Sequence, residues 1–197
     1  MKKYNLYLKT TLFIFISVIL VACPHKPDEC TWLRKTTDMI VGVCEGNISN
    51  ITDDYSHSCC SNLNIYDTCI YDSLIIKLHF NWEYISREVC SSPHDSVIGR
   101  IKKINIYTIN RYNDDFTENS LLNPIFDIFY EKGIGMMSKE PIAFDYYLNN
   151  DPICNTDMEL FLNIPPDTTS LQQFIIEYEE DNGTHYQDTT IPIYIKP

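Results

Sequence analysis

The sequence predicts an all-β protein, an immunoglobulin-like or related two-sheet β-sandwich with a cysteine-rich N-terminal segment. Three observations lead there. Apolar residues recur at every second position in several windows, which is the side-chain period of a half-buried strand. Isoleucine, tyrosine, serine, threonine, asparagine and aspartate are abundant and alanine is almost absent after residue 22, a composition that disfavours helices and suits strands. The alternating windows are short and separated by turn-forming residues, as in sandwiches.

The chain has 197 residues and opens on Met1-Lys2-Lys3, a basic stretch without a carboxylate, followed by an apolar run over residues 12–22. A positive head, a short apolar core and a small residue at the cut form the pattern of an export signal. The run is short of the roughly 20 apolar residues of a membrane-spanning helix. The junction Leu20-Val21-Ala22-Cys23 resembles the lipobox of bacterial lipoproteins, which implies cleavage before Cys23 and lipidation of its sulfur. Each buried CH₂ of an acyl chain contributes about 0.8 kcal/mol, so two or three chains hold a protein at the membrane where one does not. Residues 1–22 are thus read as signal and 23–36 as acylated cysteine and tether. Residues 37–197 are read as a single β-sandwich domain with a disulfide-stapled N-terminal portion, and the 175 residues left after cleavage are enough to bury one core.

Within that domain residues 39–44 read as a first strand. Residues 45–64, rich in Gly, Asn, Ser and Asp, read as a long loop held by cysteines. The clearest alternation covers residues 74–82, with Leu74, Ile76, Leu78, Phe80 and Trp82 on one face. Residues 101–109 follow, with Ile104 and Ile106 on one side and Tyr107 and Ile109 on the other. A helical turn around Pro124 leads into a strand at 126–130. Met158, Leu160, Leu162 and Ile164 alternate before Pro165-Pro166 breaks the strand. Phe174, Ile176 and Tyr178 alternate up to Asp181-Asn182-Gly183, a hairpin turn because Asn and Gly tolerate positive φ. Ile191, Ile193 and Ile195 make a closing strand. Pro192 lacks an N–H, which places that strand at an edge.

The stretches Arg111-Tyr112-Asn113-Asp114-Asp115-Phe116 and Ser120-Leu121-Leu122-Asn123, with the C-terminal Phe161-Leu162-Asn163-Ile164-Pro165-Pro166, Gln173-Phe174 and Asp181-Asn182-Gly183, resemble a family of small uncharacterised Bacteroidetes lipoproteins. The resemblance covers about the last half of the chain and the signal. It implies an envelope location, with the outer membrane as anchor site, and carries no activity or catalytic residue. Lys26-Pro27-Asp28-Glu29 loosely resembles a surface-export signal, interrupted by Pro27, so the periplasmic and surface faces both stay open.

Removing the three signal lysines from 15 Lys and Arg leaves 12 against 27 acids, a formal charge of −15. That field disfavours nucleic acid or an anionic lipid surface as a partner, because both need a positive field. Seven cysteines remain beyond the anchor: Cys30, Cys44, Cys59, Cys60, Cys69, Cys90 and Cys154. In an oxidising envelope they read as disulfides. Their odd number leaves one thiol free or bonded to another molecule, and adjacent Cys59 and Cys60 bond to different partners.

Asp53 with Asp54, and Asp114 with Asp115, offer paired oxygens to calcium, set against ordinary solvated loops. His57, Cys59, Cys60 and His79 carry the atoms for zinc without a zinc-finger spacing. No catalytic constellation stands out, so the sequence leans away from an enzyme. The expected role is a non-catalytic binding or structural accessory module whose partner is an envelope protein or glycan. A surface carbohydrate-binding component and a metal-dependent or thiol hydrolase are the alternatives. Tyrosine suits recognition surfaces as well as strands. Tyr146 and Tyr147 are singled out because successive strand side chains face opposite ways, exposing one of them.

Overall fold

A computed structural model describes residues 31–46, 60–86, 94–130, 140–150, 152 and 157–197. Among them the fold is all-β: thirteen strands in three sheets, with one short helix. The largest sheet runs in the order β2 (Ser61–Asn62), β1 (Thr31–Glu45), β4 (Leu74–Ser86), β9 (Asp157–Leu162), β7 (Phe126–Tyr130), β8 (Ile142–Ala143). β5 (His94–Ile98) joins it by parallel pairing with the start of β1. A second sheet holds β10 (Ser170–Gln172), β13 (Ile193–Lys196) and β3 (Thr68–Ile70), and a third holds β12 (His185–Thr189), β11 (Phe174–Glu180) and β6 (Ile101–Thr108).

The long antiparallel pair β1–β4 organises the molecule. Leu74, Ile76, Leu78 and Phe80 are buried, as their alternation predicts, whereas Trp82 at the far end is exposed. Their face packs with Ile104 and Ile106 of β6, Phe174, Ile176 and Tyr178 of β11, and Ile193 and Ile195 of β13, so one core draws on all three sheets. At about 25 cal/mol per Å² of apolar surface, such burial is the main stabilising term. β9 lies between β4 and β7 and is buried on both faces. Its outward Phe161 meets Phe129, Ile75 and Cys44 in a small second cluster, against which Cys60 packs.

β1 is longer than residues 39–44 and begins at Thr31, inside the stretch read as tether. The turn after β11 forms as predicted, with Gly183 at φ +86°. A 3₁₀ turn at Asn123–Ile125 precedes β7.

Two expectations are corrected. β13 is the central strand of its sheet, flanked by β10 and β3, and not an edge strand. Pro192 lies just before it, where its missing N–H costs no ladder bond, and its carbonyl accepts from the Tyr66 N–H at 2.8 Å. Residues 144–149 form a helix, α1 (Phe144–Asn149), and not a strand. Phe144 and Tyr147, three residues apart on one helix face, are both buried there.

Candidate recognition surface

The small sheet β10–β13–β3 has one face in the core and one in solvent. Ile193, Ile195 and Cys69 point inward, while Tyr194, Thr68 and Ile70 are exposed. Register places Leu171, Tyr194 and Thr68 side by side across the three strands, with Lys196 beside Ile70. The loop entering β3 extends this face with Ile65 and Tyr66, 58% and 60% exposed. The Tyr66 and Tyr194 rings stand 6.5 Å apart, inclined at 45°.

The chemistry that holds Tyr66 outward is local. Asp67 accepts from the Asn64 backbone N–H at 2.7 Å and from the Asn64 side-chain amide at 3.1 Å, closing the turn. Within it Tyr66 takes φ +67°, a left-handed conformation that a bulky residue adopts only under outside constraint. The Tyr66 N–H bond to the Pro192 carbonyl and the Tyr194 N–H bond to the Asp67 carbonyl, both 2.8 Å, fix the turn to β13. Large apolar side chains held at the surface by backbone bonds lose little further entropy on contact with a partner, which suits recognition.

The tyrosines singled out in the sequence divide as expected, but for a helical reason. Tyr146 is 61% exposed on α1 and Tyr147 is buried. Tyr112 and Tyr178 are also buried; the Tyr112 hydroxyl donates to the Ile164 carbonyl at 2.6 Å. Neither Tyr66 nor its approach to Tyr194, 128 positions away, was foreseen. The available signal was Tyr66 within an Asn64…Asp67 turn.

Of the cysteines, Cys44 and Cys60 form a disulfide, with Cα atoms 5.6 Å apart. Cys69 is a free, buried thiol whose sulfur lies 3.9 Å from the Tyr194 carbonyl. Burial, and then the charge of Glu45, push its pKa up to about 12, which makes it a poor nucleophile. Cys23, Cys30, Cys59, Cys90 and Cys154 lie outside the described residues, as do Asp53, Asp54 and His57. With Cys60 bonded to Cys44, the zinc set proposed from sequence loses a ligand.

Asp114 is engaged by the Arg111 guanidinium, which also lies 3.8 Å from Asp167. The Asp115 and Phe116 N–H groups donate to Asn113 Oδ1, closing the loop. Exposed His79 and Asp157 face each other across β4 and β9, Nδ1 to Oδ1 2.5 Å. Among the described residues no group of three or more His, Cys, Asp or Glu is placed to hold a metal. No helix there is long and apolar enough to cross a membrane. No family model, curated protein or solved structure matches the chain.

Proposed function

We propose that this chain is a lipid-anchored cell-envelope protein acting as a non-catalytic binding module, with a two-sheet, immunoglobulin-like sandwich presenting the Tyr66–Tyr194 face to a protein partner. Cys23 is the acylated residue and the outer membrane its anchor site, in the manner of the small Bacteroidetes lipoproteins it resembles. The sandwich reading is supported by the main core, which draws on all three sheets.

The observation that carries the recognition role is the exposed apolar face formed by Ile65, Tyr66, Ile70 and Tyr194. Proteins rarely display a contiguous apolar patch without a use for it, and tyrosine is enriched where partners bind. Tethering raises the effective concentration of this face near membrane-bound partners, so a weak contact suffices. The aliphatic residues favour a protein over a glycan. A sugar platform calls for coplanar rings, and among the described residues the surface pair Tyr66–Tyr194 is inclined at 45°, while exposed Trp82 meets half-buried Tyr84 at 73°.

A photo-crosslinking residue at position 194 in cells tests this. The expected outcome is a discrete protein adduct that is lost when Tyr66→Ala is added. The same adducts from position 146, or none from 194, would contradict the assignment.

A further inference from the structure

We propose that β3 is a strand-addition edge, on which the partner lays an extended segment of alternating apolar and basic residues. This deepens the reading of the Tyr66–Tyr194 face as a protein-binding surface and rests on it.

An open strand edge offers a row of N–H and C=O groups to any extended chain, and proteins normally block it. The two small sheets have four edge strands, β6, β12, β10 and β3, and side chains close the first three. Asn123 takes both the Ile106 N–H and the Ile104 carbonyl on β6. β12 is tied to β1 by the Asp188 carboxylate, which accepts from the Val41 N–H at 2.9 Å, and by the Tyr186 hydroxyl, which donates to the Thr36 carbonyl at 2.7 Å. On β10 the Leu171 carbonyl accepts from Asn110 Nδ2 at 3.0 Å.

β3 differs. The Asp67 carbonyl accepts from the Tyr194 N–H at 2.8 Å, and the parallel register sets Thr68 beside Tyr194 and Ile70 beside Lys196. In such a ladder the bonds come from the residues flanking Thr68, so Thr68 and Ile70 turn their own N–H and C=O away from β13. Both residues are exposed. The Ile70 carbonyl is met by Ser73 Oγ at 2.9 Å. Among the described residues nothing meets the Thr68 N–H, the Thr68 carbonyl or the Ile70 N–H. Groups on alternate residues of one edge have the spacing of a ladder, and the occupant that satisfies them is an extended peptide. Its alternate side chains fall beside Thr68 and Ile70, on the face that carries Tyr66 and Tyr194.

Charge narrows the occupant further. The charged residues next to β3 in chain or register are Asp67, Asp72 and Lys196, joined by Glu45, whose Oε1 lies 3.3 Å from Ser73 Oγ. Three acids against one base favour a basic segment. A second copy paired edge to edge about a two-fold axis would set Asp72 of one copy next to Asp67 of the other, and like charges across a strand pair are unfavourable.

The test titrates the full protein in detergent with an acetylated, amidated Lys-Val-Lys-Val-Lys-Val peptide and reads amide hydrogen exchange. The expected result is exchange slowed about ten-fold at Thr68 and Ile70, with Leu171 on β10 unchanged. Ile70 has φ −83° and ψ 144°, near the values proline fixes, so Ile70→Pro deletes the outward N–H and leaves the ladder to β13 intact. It should weaken the peptide about ten-fold beyond Ile70→Ala, through the lost main-chain bond and the blocked edge, at an unchanged urea midpoint. If Ile70→Pro folds poorly, a fully N-methylated peptide on the unsubstituted protein replaces it and should give no protection. Protection absent at Thr68 and Ile70, or equal binding by Ile70→Pro and Ile70→Ala, overturns strand addition. Equal protection by a Glu-Val peptide overturns the basic partner. Slow Thr68 exchange without peptide that becomes fast on dilution gives the edge to a second copy and overturns the proposal too. In cells, a position-194 adduct that persists in Ile70→Pro overturns the strand and leaves the recognition face standing, whereas no adduct from 194 in any background removes the face and the strand with it.

Discussion

Replacing Asn123 tests how the fold closes one edge of its core. β6 pairs with β11 on one side. On the other, no described strand pairs with it at Ile104 and Ile106. Buried Asn123 meets them instead: Ile106 N–H donates to its Oδ1 at 2.9 Å and its Nδ2 donates to the Ile104 carbonyl at 2.7 Å. The Leu122 N–H adds a bond to the Ile106 carbonyl at 2.7 Å. Asn123→Leu keeps the branched outline of the side chain but leaves one N–H and one C=O buried without partners. Each orphan costs about 1–3 kcal/mol, so the loss is about 2–6 kcal/mol, a large part of the roughly 5–15 kcal/mol that holds a domain folded. Asn123→Asp keeps the acceptor and loses the donor. It should be the more damaging at pH 7, where a buried charge faces the Ile104 carbonyl, than near pH 4, where a protonated carboxyl donates to it. The assay is urea unfolding of oxidised Cys23→Ser protein. A lowered midpoint with unchanged slope is expected; a loss below about 0.5 kcal/mol for Asn123→Leu would refute the edge-closing role.

Three further outcomes follow from named contacts. Removing the Cys44–Cys60 disulfide, which links residues 16 apart, should cost about 3 kcal/mol through loop closure, read from urea midpoints of C44A/C60A, and should raise dye binding as Phe129 and Phe161 are uncovered. Tyr66→Gly relieves the left-handed backbone at φ +67° and should hold or raise the melting temperature, by up to about 1 kcal/mol of stability, while abolishing the position-194 crosslink; a fall of several degrees would show that Tyr66 serves the core. Burial holds the Cys69 thiol neutral, with its pKa raised from 9.0 to about 12, and pushes Tyr112 up for the same reason. The unfolded chain then releases the Cys69 proton first as pH rises, so its contribution is intact below about pH 9 and is lost between 9 and 12; thiol titration at pH 8 should find Cys69 unreactive until denaturant is added.

The sequence is informative where a strand buries one face. Alternation marks β4 and β11 because their inner residues form the common core, and Asn182-Gly183 marks the hairpin because positive φ is needed there. It is uninformative where polar residues complete the core. Asn123 and Gln172 look like surface residues in sequence, yet both are buried, and Gln172 bridges Thr108 Oγ1, the Arg111 carbonyl and Ser170 Oγ. Glu180 is fully buried too, accepting from the Tyr178 hydroxyl at 3.1 Å and from Asn182 Nδ2 at 2.8 Å. Short partners set by distant chain escape local patterns: β3 and β10 have three residues each and exist because β13 lies between them. The same long-range pairing brings Tyr66 to Tyr194, so the recognition face was legible only as a general excess of tyrosine. Tyr147 shows the converse, since an exposed–buried tyrosine pair arises in a helix as readily as in a strand.

The central claim is that the domain works from a lipid anchor at Cys23. Mass spectrometry of the N-terminal peptide from membrane-extracted protein, beside Cys23→Ser, tests it most directly. The account predicts that the mature chain begins at Cys23 with acyl mass on that residue, and that the variant is unprocessed and lacks the lipid. A mature N-terminus elsewhere, or an unmodified Cys23 in membrane-bound protein, would contradict it.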